Sequence, residues 1–146
     1  MAKPYAHTQI GYFLLFAYSV VIALLGLLVF VLGFGPLPLI GMLIVLVALC
    51  LFATLTVSVG SRTMTVRFGP GVIRKSFRLE DIETVQAVKN PWYYGWGIRY
   101  TPRGWLYSVS GLSAIELKMK SGKTCRIGTD DPTGLTNALG RALRDP

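Results

Sequence analysis

No Asp, Glu, Lys or Arg occurs between Lys3 and Arg62. A soluble globular domain carries about a quarter of its residues as charges, so this stretch cannot supply the water-facing surface of one. Lipid is the solvent that such a run suits. The other half has the opposite character. Every acidic residue, and every basic residue except Lys3, lies from Arg62 onward, so the formal net charge of +8 belongs almost wholly to that half. A chain of 146 residues leaves room for one soluble domain beside the apolar part.

A helix needs about 20 apolar residues to cross the hydrocarbon core. Ile10–Leu32 and Leu37–Thr56 both meet that length. Between them Gly33–Pro38 (GFGPLP) carries the glycines and prolines that stop one helix and start the next. The sequence therefore predicts a two-helix transmembrane hairpin over residues 10–56, a short cytoplasmic N-terminus over 1–9 and a polar domain over 57–146. The first run exceeds the roughly 7–15 residues of a signal-peptide core, and no small-residue cleavage site follows it, so it is expected to be retained. Basic residues flank the helices at Lys3 and at Arg62, Arg67, Arg74, Lys75 and Arg78, with none in the turn. By the positive-inside bias both termini face the cytoplasm and the protein is a two-span resident of the plasma membrane.

Ser19, Ala23, Gly26 and Gly33 share one face of the first helix, and Gly41 and Ala48 share one of the second. Small residues let helices approach closely in lipid, so these faces are expected to pack the hairpin on itself or against another membrane protein. Neither helix holds a charge, which removes the mark of an ion path or proton relay. His7, just before the first helix, reads as an interfacial histidine rather than as a ligand to a metal. Cys50 and Cys125 fall in different halves with no CxxC spacing, so neither a disulfide framework nor a zinc site is expected.

From Thr54 the pattern changes to alternation of polar and apolar residues. TLTVSV and TMTVRF show it, and glycine-bearing turns recur through the rest of the domain between short β-rich segments. These are Val72–Phe77, Ile82–Val88, Trp96–Tyr100, Trp105–Ser110, Ala114–Lys120 and Thr124–Thr129. Short strands so spaced predict an antiparallel β-barrel or sandwich. The chain then closes with a helix: Asp131 is a capping residue, Pro132 suits the first helical position, and Leu135, Ala138, Leu139, Ala142 and Leu143 form one apolar face.

About seven antiparallel strands followed by one C-terminal helix is the element order of the pleckstrin-homology superfold. Gly95–Tyr100 (GWGIRY), Gly104–Leu117 (GWLYSVSGLSAIEL) and Arg126–Leu139 (RIGTDDPTGLTNAL) carry that likeness. From Thr54 to Leu143 the sequence resembles the bacterial pleckstrin-homology-like domains found behind paired membrane helices. The resemblance implies a PH-like fold in a bacterial inner membrane and a scaffold or recognition role, with no catalytic residue. The inositide-binding pattern of eukaryotic relatives does not carry over, because only Arg62 and Arg67 lie near the first hairpin turn.

Reactive groups are scarce. The one histidine is expected at the membrane edge, which removes Ser–His and Cys–His nucleophilic schemes, and no glycine-rich phosphate loop joins a strand to a helix. Glu80, Asp81 and Glu83 form an acidic loop that is expected to be solvated beside Arg78; cation binding there, and with it a metal-dependent enzyme, is the most distant alternative. No catalytic residue, cofactor or metal is expected.

The basic surplus suits an anionic membrane surface, where each nearby Lys or Arg contributes about 1 kcal/mol. Arg62, Arg67, Arg74, Lys75 and Arg78 are the candidate head-group surface. Nucleic-acid binding is not expected, because the domain is tethered and carries no recognised motif. All three tryptophans fall between Lys89 and Tyr107. Trp92, Tyr93, Tyr94, Trp96, Arg99 and Trp105 form a candidate partner or interface patch, since exposed Trp, Tyr and Arg anchor interfaces. Trp92, Tyr93 and Tyr94 are expected on an exposed loop opened by Asn90-Pro91, and Ile98, Tyr100, Tyr107 and Val109 inside. Trp96 and Trp105 fit either place.

These readings combine into a non-catalytic, membrane-anchored recognition or scaffold protein, an accessory subunit of a larger membrane complex. An anionic-lipid sensor at the inner leaflet is the alternative.

Overall fold

The computed structural model describes residues 4–145, so Lys3 lies outside it. Tyr5–Ile10 forms a strand, β1, where a cytoplasmic tail was expected. It pairs antiparallel with β2 (Thr54–Val59), from Tyr5 opposite Val59 to Ile10 opposite Thr54. Its inward-turned residues Tyr5, His7 and Gln9 are polar or amphipathic, so hydrophobic alternation does not reveal it. Partners distant in the chain meet them instead, although Gln9 Oε1 is left buried without one. The Tyr5 hydroxyl donates to Asp131 Oδ2, His7 Nε2 meets Asp130 Oδ1, and Gln9 Nε2 donates to the Ser110 carbonyl. His7 is thus a strand residue held by an aspartate.

The helices α1 (Tyr12–Leu32) and α2 (Pro36–Phe52) leave and return between β1 and β2. Gly33 takes a positive φ of 85° to end α1, and Pro36 opens α2. α1 is long and apolar enough to cross a membrane, and α2 is a shorter apolar helix of 17 residues. Gly41 faces Leu25 across the hairpin, with room for only an ordinary van der Waals contact. On α1, however, Ser19, Ala23 and Gly26 are exposed, while Ile22, Leu25 and Val29 are partly covered. The small stripe of α1 therefore faces away from α2.

β2, β3 (Thr63–Phe68) and β4 (Ile73–Arg78) continue the first sheet, in the order β1-β2-β3-β4 with every pair antiparallel. The second sheet is made of β5 (Ile82–Lys89), β6 (Gly97–Thr101), β7 (Gly104–Ser108), β8 (Ser113–Met119) and β9 (Thr124–Gly128), in the order β5-β8-β9-β7-β6. Its β7–β9 pair is parallel, with Tyr107 opposite Ile127, and this corrects the all-antiparallel expectation. Alternation has the same period in both kinds of ladder, so it cannot report direction.

The sheets share one core. Leu55, Val57, Met64, Val66, Phe68 and Phe77 meet Tyr107, Ile115, Leu117, Cys125 and Ile127. α3 (Pro132–Arg144) closes it with Leu135, Leu139 and Ala142, its start capped by Asp131, whose Oδ1 accepts from the Gly134 N–H at 3.0 Å.

The helical hairpin is joined to the sheets without a linker. The Gly11 N–H donates to the Ala53 carbonyl at 2.8 Å, and Gly69 N–H donates to the Thr54 carbonyl at 2.9 Å. Gly69 has φ 51°, and a Cβ there would strike the Cys50 and Leu51 carbonyls, so the β3–β4 turn lies directly against the end of α2. Phe52 meets Phe68 edge-on, and Phe13 stacks on Trp96 with centroids 3.7 Å apart.

Candidate functional site

Strand direction divides the sheet domain into two ends. The helix end holds Ile10, Thr54, the turn 69–72, the loop 90–96 and the loop 109–112. The far end holds the turns 60–62, 79–81, 102–103 and 120–123. The five cations chosen from the sequence do not form one surface. Arg67 and Arg74 are cross-strand partners one step from the turn at the helix end. Arg62 and Arg78 are at the far end, where the Leu79 N–H donates to the Arg62 carbonyl. The four residue steps from Arg74 to Arg78 span about 13 Å of strand rise.

Lys75 has a third position. It shares the inward row of β4 with Ile73 and Phe77 and stands opposite the buried Val66. That row opens on a cleft of about 720 Å³ between β4 and the β6–β7–β9 side of the second sheet. Phe77, Ile98, Trp105 and Tyr107 line its apolar part, while Arg74, Lys75, Arg78 and Lys123 bring positive charge and Asp81 brings the one acid. The volume falls in the range of about 300–1,000 Å³ that small ligands and peptide side chains occupy. Burial pushes the Cys125 thiol up to about 11, against a smaller opposing pull from Lys75, so it is protonated and unreactive at neutral pH. Burial also raises the Tyr107 phenol. The cleft therefore offers cations and aromatic surface, without an activated nucleophile among its lining residues.

The candidate aromatic patch separates into four places. Trp92 and Tyr93 are 75% and 68% exposed at the tip of the loop at the helix end. Tyr94 turns back over the outer face of the second sheet, 5.9 Å from the Arg126 guanidinium. Trp96 stacks on Phe13 of α1, and its Nε1 donates to the Gly111 carbonyl at 2.9 Å. Trp105 lines the cleft beside Tyr100. Arg99 is exposed and its Nε donates to the Trp96 carbonyl. Tyr107 and Val109 are buried and Ile98 half-buried, but Tyr100 is 75% exposed, which corrects its inward placement: β6 is the last strand of its sheet.

Sequence reading missed what holds the loop. Arg126 is buried and gives its Nε to Glu116 Oε2 at 2.9 Å and its Nη1 to Asn90 Oδ1 at 3.0 Å. Gln86 also donates to Glu116. The signal was present as one charge inside each of two apolar strands, IEL and CRI, which the register places side by side. The acidic loop is dispersed: Glu80 pairs with Arg78 at 3.1 Å, Glu83 with Lys118 at 3.4 Å, and Asp81 faces the cleft. Among the described residues no three His, Cys, Asp or Glu side chains group as a metal site would require.

No family model, no curated protein and no solved structure matches this chain.

Proposed function

We propose that the protein is a non-catalytic recognition module anchored in a bacterial inner membrane by both helices, with its sheet domain at the cytoplasmic face. One observation carries this reading: the hairpin emerges between two paired strands, and Trp92 and Tyr93 project at the end of the domain from which it emerges. α1 has the length of a full span; α2, at about 26 Å, returns beside it with modest local thinning of the bilayer. Interfacial Trp and Tyr then lie at head-group depth.

The topology also supports the pleckstrin-homology-like reading. Without α1–α2 and β6–β7, the remaining order is a four-strand meander, a three-strand meander β5-β8-β9 and a C-terminal helix. On this reading both hairpins are insertions into that framework. The protein acts as an accessory subunit of a membrane complex, with the exposed face of Ser19, Ala23 and Gly26 on α1 available to a partner helix. Purification from native membranes in mild detergent is expected to bring a stoichiometric partner; a lone monomer overturns the reading.

An anionic-lipid sensor is favoured by Arg67 and Arg74, which flank the turn at the helix end. Its test needs the whole sheet, since a fragment starting at Ser61 lacks β1 and β2 and so Leu55, Val57 and Val59 of the core. Replacing residues 11–53 by Asn-Gly joins the paired Ile10 and Thr54 through a two-residue turn. This chain should sediment with anionic vesicles, and not neutral ones, in low salt if lipid is the ligand.

A further inference from the structure

Among the described residues β4 pairs with β3 on one side and with no strand on the other. Along that free side alternate N–H and C=O groups lack a strand partner, and such an edge either is blunted or receives another strand. Lys75 on the inward row would serve blunting by itself. The surroundings go further, because the whole strand from Ile73 to Arg78 borders the 720 Å³ cleft with its aromatic floor. Four cations line that cleft, Arg74, Lys75, Arg78 and Lys123, against the single acid Asp81. Arg78 and Glu80 are 72% and 66% exposed, so their ion pair is weak and readily exchanged for another acid.

We propose that the free edge of β4 accepts an extended acidic segment of a partner protein as an added strand. The register specifies the pattern. Positions opposite Arg74 and Arg78 carry acids on the outer row, and the position opposite Lys75 carries an acid on the inner row. Those opposite Ile73 and Phe77 are apolar and cover the Trp105–Tyr107 floor. Main-chain hydrogen bonds give affinity and the alternating pockets give selectivity. This inference rests on the recognition-module reading and names the partner chemistry for it.

The test uses the full chain in nanodiscs of phosphatidylcholine and fluorescein-labelled Val-Glu-Glu-Thr-Val-Glu, in both chain directions, read by anisotropy and hydrogen exchange. One direction is expected to bind and to protect β4 amides. Methylating alternate backbone nitrogens of the peptide should weaken it by about tenfold or more, as should Lys75→Glu, each loss removing hydrogen bonds or a charge-assisted contact. Lys75→Met, which keeps the stem, should lose less. The proposal fails if neither direction binds, or if the methylated peptide binds equally, since charge alone would then explain capture. It also fails if phosphatidylglycerol nanodiscs without peptide protect β4, which would make lipid the occupant. A native partner that co-purifies while no peptide binds would leave the module reading standing and remove this one.

Discussion

The two hairpins α1–α2 and β6–β7 differ in what surrounds them. α1–α2 touches the sheets at its base, through Cys50 and Leu51 against Gly69, Phe13–Trp96 and Phe52–Phe68, while most of its apolar surface remains exposed. β6–β7 is built into the domain: β7 pairs with β9, Tyr107 is buried in the shared core, and Ile98 packs against it. One hairpin leaves its apolar surface open, and the other buries its own in the sheet domain. Excision therefore offers the largest test. Replacing residues 11–53 by Asn-Gly is expected to yield a chain that unfolds cooperatively in water without detergent. Removing residues 96–109 and closing the gap is expected to abolish cooperative unfolding, because it exposes β9 and strips Tyr107 and Val109 from the core. Comparable unfolding of the two chains, by circular dichroism, would erase the distinction.

The same contrast explains what was legible. The helical hairpin is a local signal, an unbroken apolar run with Gly and Pro between its halves, and the capped terminal helix reads equally well from Asp131, Pro132 and its Leu and Ala stripe. Most of the strands were legible from alternation and turns. β1 was not, because its inward residues are Tyr5, His7 and Gln9 and its partner strand lies beyond the whole hairpin. The parallel β7–β9 pair was hidden because direction depends on contacts between distant segments. For the site, the cations and aromatic residues were visible as types, but their grouping was not. Arg67–Arg78 looks continuous in sequence, yet only Arg74, Lys75 and Arg78 line the cleft, and Arg67 does not.

Within the β domain, the next largest effect concerns the network under the aromatic loop. Arg126 and Glu116 side chains are 10% and 12% exposed. Removing one member leaves a nearly buried charge uncompensated, so Arg126→Ala is expected to cost about 3 kcal/mol in thermal or chemical unfolding. It also frees Asn90 and Tyr94, so Trp92 emission should shift and proteolysis within 90–96 should accelerate. Arg126→Met with Glu116→Leu should recover much of the stability while leaving the loop loose. Equal losses for the single and double variants would mean that packing, rather than the ion pair, holds this face.

Alkaline pH separates the core from the helical hairpin with a smaller effect. Burial raises the Cys125 thiol from 9.0 to about 11. Tyr5 is raised by burial and then by its hydrogen bond to Asp131. A group whose folded pKa is raised contributes stability that is complete below its unfolded pKa and disappears as pH climbs through the folded one. Cys125 should thus withdraw on the order of 2 kcal/mol between pH 9 and 11. Cys125→Ala should flatten that part of the profile in the full chain, although its stability at pH 7 falls slightly. An unchanged slope would assign the limb to Tyr5 and Tyr107.

The smallest effect bears on whether the domain is held or merely tethered. Phe13 and Trp96 stack at 3.7 Å with planes 26° apart, and the indole N–H is anchored to the Gly111 carbonyl. A stack of this kind contributes about 1 kcal/mol beyond its buried area. Phe13→Ala, Trp96→Ala and the double variant, unfolded in the same detergent, should show a coupling of about that size. Such coupling means that the first turn of α1 dictates the angle of the second sheet, so the basic cleft is held at a fixed orientation to the helical hairpin. Zero coupling would mean that α1 does not fix the second sheet, and that the β1–β2 ladder and the contacts of α2 with Phe68 and Gly69 carry the hairpin.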